Sequence, residues 1–262
     1  MLVLALRNFV LKKFSVRNYL SLLALLCLVA CADDSEKFDE MSVERLYLMG
    51  VDRMEAKKYK EAGTAFAEVE RQHPYSDWSL NAQVMSGYSF YLAKKYDEAE
   101  EAFESFVELH PGHEYVPYVM YMIGLIGYEQ IPIVERDQTP ARESMEAFQK
   151  LINRFADSKY AKDARLKIDL ITDHLAAKEV DIARYYQDRH AHLAAINRLK
   201  SVINDYQKSA HVPEALYRLT VSYLVLGMYD EAKASAAVLG HNYPDTSWYQ
   251  MAYDAMQGVK KL

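Results

Sequence analysis

Two cysteines, eight histidines and 37 acidic residues are the reactive groups of this 262-residue chain, and their spacing limits what they can do. Cys27 and Cys31 fall inside and at the end of one apolar run, and nowhere is there a Cys-x-x-Cys, a His-Glu-x-x-His or a glycine-rich phosphate loop. His110 and His113 flank Pro111-Gly112, which reads as a solvated turn rather than a ligand pair. His190 and His192, two apart on an expected helix, point to different sides. Lys57-Lys58 and Lys94-Lys95 read as solvated turns too. No catalytic residue, metal site or cofactor is expected. The outlying residue type is tyrosine, 21 against 9 Phe and 2 Trp, which suits binding by aromatic contact rather than catalysis.

The first thirty residues read as an address. Lys12, Lys13 and Arg17 precede residues 20–30, LSLLALLCLVA, which carry no charge. Eleven residues of helix span only about half of a ~30 Å hydrocarbon core, so the segment reads as a secretory signal rather than a membrane span. Its end, Leu28-Val29-Ala30-Cys31, resembles the bacterial lipobox, which implies that Cys31 becomes the lipidated first residue of the mature protein. Cys31 is then the only mature cysteine and no intramolecular disulfide can form. Ala32 rather than Asp follows it, and in lipoproteins of this kind that implies the outer membrane. Residues 31–42 read as a lipidated, largely acidic tether. Arg7, Lys12, Lys13 and Arg17 are the only charges before Cys31, so residues 31–262 carry 27 bases and 37 acids, a balance that argues against nucleic acid as a partner.

Sliding the chain over itself exposes a repeat. YKEA at 59–62 returns as YDEA at 96–99 and again at 229–232. At an offset of 37 residues Gly50 falls on Gly87, Ala62 on Ala99, Phe66 on Phe103, Val69 on Phe106 and Pro74 on Pro111. A small residue, Ala-x-x-x-Phe and then Pro resembles the tetratricopeptide repeat, two antiparallel helices packed at a glycine. Gly124 continues the series, but Ser144, Phe148 and Leu151 arrive eight residues late, so an insertion lies at 129–143. A fourth unit aligns Ala183, Tyr186, Ala195, Leu199 and Val202, and a fifth Leu216, Tyr223, Ala232, Leu239 and Pro244. Residues 159–189 keep helical spacing without Pro or Gly and read as one long helix. The expected fold is all-α, a superhelix of about five tetratricopeptide-like hairpins: repeats one to three over 43–156, repeats four and five over 157–250, and a tail over 251–262. Ala62, Ala99 and Ala232 are expected to be close-packed, and Glu98, Glu100, Glu101 and Glu104 to lie mainly on the polar face.

The lipobox, the repeats, the insertion from Gln130-Ile131-Pro132 to Arg136-Asp137-Gln138, and the strings at 178–186, 194–198, 211–216 and 240–244 together resemble the tetratricopeptide-repeat lipoproteins of the β-barrel assembly (Bam) machinery. That resemblance implies a non-enzymatic, lipid-anchored scaffold on the periplasmic face of the outer membrane, aiding the folding and insertion of β-barrel proteins. Its implied partners are the barrel subunit BamA, other Bam lipoproteins and unfolded outer-membrane β-barrel proteins. Another periplasmic scaffold of the same architecture, for pilus assembly or competence and the cell wall, is the alternative.

Four positions of each first helix face the concave groove of a tetratricopeptide unit. They are Glu44, Tyr47, Val51 and Met54; Asn81, Val84, Tyr88 and Tyr91; and Tyr118, Tyr121, Leu125 and Tyr128. Six tyrosines in twelve positions suit an extended, aromatic-containing peptide, and the resemblance implies the C-terminal segment of an unfolded barrel; as amphipathic core residues they would instead fill gaps between helices. In the insertion, Arg136, Asp137 and Gln138 are candidates either for a partner interface or for pinning the loop. Arg184, Arg189, Arg198 and Arg218 are the candidates in the half that the resemblance docks on BamA, and the sequence does not choose among them.

Overall fold

Apolar residues at three- and four-residue spacing, broken every fourteen or so by turn residues, fold as antiparallel helix pairs. The computed structural model describes residues 38–259, so the signal, Cys31 and most of the tether lie outside the described residues. Among the described residues eleven helices follow in order: α1 Val43–Glu55, α2 Tyr59–Gln72, α3 Ser79–Leu92, α4 Tyr96–Leu109, α5 Val116–Glu129, α6 Thr139–Arg154, α7 Lys159–Asp188, α8 His192–Asp205, α9 Val212–Val225, α10 Tyr229–Asn242 and α11 Ser247–Val259. Each packs on its chain neighbour, so five hairpins stack and an eleventh helix closes the end.

The pairing within a hairpin rests on one socket. A Cβ added at Gly50, Gly87 or Gly124 would come within 2.6 Å of the ring of Phe66, Phe103 or Phe148, so only glycine lets the helices approach with a phenylalanine between them. In the fourth hairpin the equivalent residues are Ala183 and Leu199, both fully buried, a larger residue facing a smaller one. Ala62, Ala99 and Ala232 are fully buried as expected. From α3 onward, buried side chains form three successive clusters along the stack, bridged by Phe155, Tyr121 and Tyr206.

The turn inside each regular hairpin is left-handed at one residue: Lys57, Lys94, His190 and Gly227, with φ of 59, 57, 58 and 72°. The next N–H reaches back five residues, as Lys58 does to the Arg53 carbonyl at 2.8 Å and Lys95 to Phe90 at 2.9 Å, which satisfies carbonyls at the helix end. His190 is thus a turn residue and not helical, because Asp188 ends α7 and α8 begins at His192.

The third hairpin replaces that turn with the insertion, irregular only over residues 130–138; Glu129 belongs to α5, and Thr139 already starts α6, with Pro140 in its first turn. Between hairpins, a histidine or aromatic residue ends the helix, and at the last three junctions a polar residue three on accepts an N–H at the start of the next one. Ser158 takes the Ala161 N–H at 3.0 Å, Ser209 that of His211 at 3.1 Å and Thr246 that of Tyr249 at 3.3 Å. The stretch read as a tail from 251 lies within a helix: α11 runs through it to Val259, with Ala252 fully buried and the Tyr249 ring against Gly240. It covers the apolar face that the last hairpin would otherwise expose.

Candidate functional site

Within one face of α1, α3 and α5, the 3.6-residue period brings the expected groove positions of three hairpins together. Tyr47, Asn81, Val84 and Tyr118 line a single cleft of about 280 Å³ with Met85, Tyr115 and Tyr160. All the tyrosines of the expected groove are half-buried, neither core nor free surface. Tyr47 meets Trp78 edge-on at 4.8 Å and Phe66 at 5.3 Å. Tyr88 stacks on Tyr91 at 6.4 Å, and Tyr118 and Tyr121 lie 5.5 and 5.7 Å from the ring of Tyr160.

Burial, and then the neighbouring hydroxyls of Tyr88, Tyr160 and Tyr91, push the Tyr118 hydroxyl well above its ordinary range. Tyr121 is pushed up likewise, by burial and by the hydrogen bond it donates to the Asp163 Oδ2 at 2.6 Å. Tyr47 and Tyr91 shift upward for the same first reason. These phenols stay neutral at every physiological pH and offer a rigid ring with a hydroxyl tip. Among the described residues, only Tyr121 of this set has that tip tied to another side chain.

Not every expected position joins the cleft: of the tyrosines, Tyr47 and Tyr118 line it, while Tyr88, Tyr91 and Tyr121 are outside its lining. Val51 and Leu125 are half-buried beside it, Leu125 packing into the core, and Met54 accepts the Ser89 hydroxyl at 3.1 Å. Tyr128 lies apart, lining a second cleft with Ile131 and Leu170 under the Lys167 ammonium, which sits 4.3 Å above its ring. Tyr160 and Asp163 were not expected: they come from α7, which lies outside the three-hairpin pattern but packs on α5.

The insertion is held from within. Gln138 is buried and its Nε2 donates to the carbonyls of Ile133 and Arg136, each at 3.0 Å, while the Asp137 carboxylate accepts the Thr139 N–H at 3.1 Å. That bond, from the side chain and backbone of Thr139, holds the Asp137 carboxyl below its usual range. Lys178 fastens the loop to α7 through the Glu135 carbonyl at 2.8 Å; of the three candidates Arg136 and Asp137 are exposed, and Asp137 is the one engaged with Thr139.

The four arginines part in the same way. Glu214, 5% exposed, accepts from Arg184 at 2.6 to 2.8 Å and from Arg218 at 2.6 Å, and Arg218 also donates to Gln187 at 2.8 Å. Burial alone would raise the Glu214 carboxyl, but the two guanidinium groups outweigh it and bring it below its ordinary value. Arg198 reaches Glu179 at 3.3 Å in an exposed pair, and Arg189 lies 3.7 Å over the half-exposed ring of Tyr185, a cation–π contact facing solvent.

Residues 39–239 match the family described as YfiO, outer membrane lipoprotein. The chain belongs to that family. A protein of Caulobacter vibrioides is 40% identical over 227 residues, covering 85% of this chain and 74% of the relative, and one of Rickettsia prowazekii is 40% identical over 229 residues, covering 87% and 91%. Both relatives bear the name outer membrane protein assembly factor BamD. Among solved structures, the TPR2AB-domain:pHSP90 complex of yeast Sti1 aligns with a TM-score of 0.46 at 13% identity, over 84% of each chain. No described helix of this YfiO-family chain is long and apolar enough to cross a membrane.

Proposed function

We propose that this chain is a lipid-anchored, non-enzymatic scaffold that assists the assembly of β-barrel proteins in the outer membrane, from its periplasmic face. Its first three hairpins receive the C-terminal, aromatic-ended segment of an unfolded barrel, and its last two dock on BamA and other Bam lipoproteins. The observation that carries the reading is the half-buried line of tyrosines along one face of α1, α3 and α5, with Tyr47 and Tyr118 in a common cleft, in a family whose relatives are named assembly factors. Rings with two side-chain torsions give contact area at low entropic cost, and their hydroxyls can bond an extended backbone. Arg136 and Arg189, exposed and outside the Glu214 network, are the partner contacts this reading favours, with Arg198 next. Cys31 carries the anchor.

Fluorescence titration of a barrel C-terminal peptide, with and without its last aromatic residue, tests the groove. Tyr88→Ala and Tyr91→Ala should each weaken the complete peptide by about thirtyfold, the loss expected for ~2 kcal/mol at a well-packed contact, with little dependence on salt. Tyr229→Ala, at the exposed start of α10, should leave affinity unchanged. Undiminished binding by folded Tyr88→Ala and Tyr91→Ala variants would make these rings core residues and nothing more.

A further inference from the structure

A second, roomier cleft lies on the other side of α5. Its volume is about 680 Å³, and Met120 and Ile123 form its floor, with Val107 of α4 beside them. At 100° per residue these two side chains stand roughly half a turn around α5 from Tyr118 and Tyr121, so one helix serves two separate concavities.

Its origin is a substitution inside the repeat. Between the first and second hairpins, Gly63 of α2 receives the ring of Phe90, which would lie 2.8 Å from a Cβ there. One period on, the corresponding residues are Glu100 and Gly127, so no ring fills the gap between the second and third hairpins. The walls are instead a face of α4 and a face of α6. Glu100, Glu104 and Glu108 on one side confront Glu143 and Glu146 on the other, with Lys150 the single base. Asp97 and Glu101 extend the acidic wall along α4 for about 16 Å, three turns of helix.

These charges are not compensated within the described fold: of the carboxylates in the cleft, none forms an ion pair, the closest on α4 being Glu98 with Lys95 outside it. Burial, and then the charges of Glu104, Glu143 and Asp97, push the half-buried Glu100 carboxyl above its ordinary value, which records the mutual repulsion. An apolar floor between two parallel acidic walls has the shape and charge that complement a helix with apolar residues on one stripe and Lys or Arg flanking them.

We propose that the α4–α5–α6 cleft is a second docking site, for a basic amphipathic helix of a partner protein, distinct from the tyrosine groove. Such a helix buries Met120 and Ile123 and supplies the cations that the walls lack. The site is independent of the peptide groove, so scaffold and client contacts can be made at once on opposite faces of α5.

The test uses the full-length chain in zwitterionic nanodiscs, with empty nanodiscs as the blank. The probe is a fluorescein-labelled sixteen-residue helical peptide of Leu and Lys, with Leu at i, i+3, i+4 and i+7, followed by anisotropy. Specific binding should weaken at least tenfold between low and physiological salt, and at least tenfold in Glu104→Lys and in Glu143→Lys, which sit on opposite walls. Tyr88→Ala should leave it unchanged. Equal binding by both charge-reversed variants, competition by a barrel C-terminal peptide, absence of binding above the blank, or self-association of the chain through these residues would each overturn the proposal. Because both charged positions are at the surface, circular dichroism of the variants separates loss of binding from loss of fold.

Discussion

The concave face changes character half-way along the stack, although the same repeat positions supply it throughout. In the first three hairpins those positions hold Tyr47, Tyr88, Tyr91, Tyr118 and Tyr121; in the fourth, the positions of Val51 and Met54 hold Arg184 and Gln187, and in the fifth that of Glu44 holds Glu214. The first set makes a half-buried aromatic face, with Tyr47 and Tyr118 in one cleft, and the second closes on itself through charge-assisted bonds at 2.6 to 2.8 Å. One backbone therefore carries a surface with hydroxyl tips to offer and a surface whose polar groups are already spent on each other. The hairpin sockets differ too, Gly with Phe in the first three hairpins and Ala183 with Leu199 in the fourth.

The largest expected effect breaks the front socket. Phe103→Ala should cost about 3–5 kcal/mol in urea unfolding, because a ring seated on Gly87 leaves a void that neither helix can fill. Gly87→Ala should cost about 1–3 kcal/mol alone, yet much less in a Phe103→Leu background, which rebuilds the Ala183 and Leu199 pair of the rear. A strictly additive double variant would show that the two sockets are not alternative solutions to one packing problem.

Next in size, Glu214→Gln should lose about 2 kcal/mol through weakened bonds to Arg184 and Arg218. The pH dependence separates the halves. The Glu214 carboxyl is lowered from 4.5, so its contribution is fully present above about pH 4.5 and is lost as pH falls through the folded value. The Tyr118 and Tyr121 hydroxyls are raised from 10.0, so theirs is fully present below about pH 10 and is lost as pH rises further. Hydrogen exchange should accordingly open α7 and α9 first in acid and α3 and α5 first in alkali; the reverse order would contradict the contrast.

The smallest effect lies in the turns. Lys94 is left-handed at φ 57°, where Gly227 stands in the fifth hairpin, so Lys94→Gly should stabilise the second hairpin by up to about 1 kcal/mol and Gly227→Ala should destabilise the fifth by a similar amount. Thermal melts of the two variants, moving in opposite directions, check it.

The hairpins were legible because packing forces a small residue, an alanine and an aromatic ring to recur at fixed spacing, and fixed spacing survives in a sequence. Long-range closures leave no such trace. Gln138 is buried only because the loop folds its carbonyls around that side chain, and Tyr160 joins the cleft only because α7 packs back onto α5. Glu100 reads as solvated on its own helix, and is half-buried because α6 stands opposite. The Arg184 and Glu214 network did have a signal: carrying the groove positions on into the fourth and fifth repeats lands on both residues.

The 30-residue α7, about 45 Å long, gives Tyr160 to the aromatic cleft, Asp163 to the Tyr121 hydroxyl, and Arg184 and Gln187 to the charged network. The two surfaces are thus kept in phase by one rod. One residue inserted at its middle turns the far end by 100° and advances it 1.5 Å, which swings either the ring out of the cleft or the guanidinium away from Glu214. Seven inserted residues, close to two full turns, restore the angle while lengthening the rod by about 10 Å. Angle and span can in this way be varied separately, as with the teeth and the shaft of a gear.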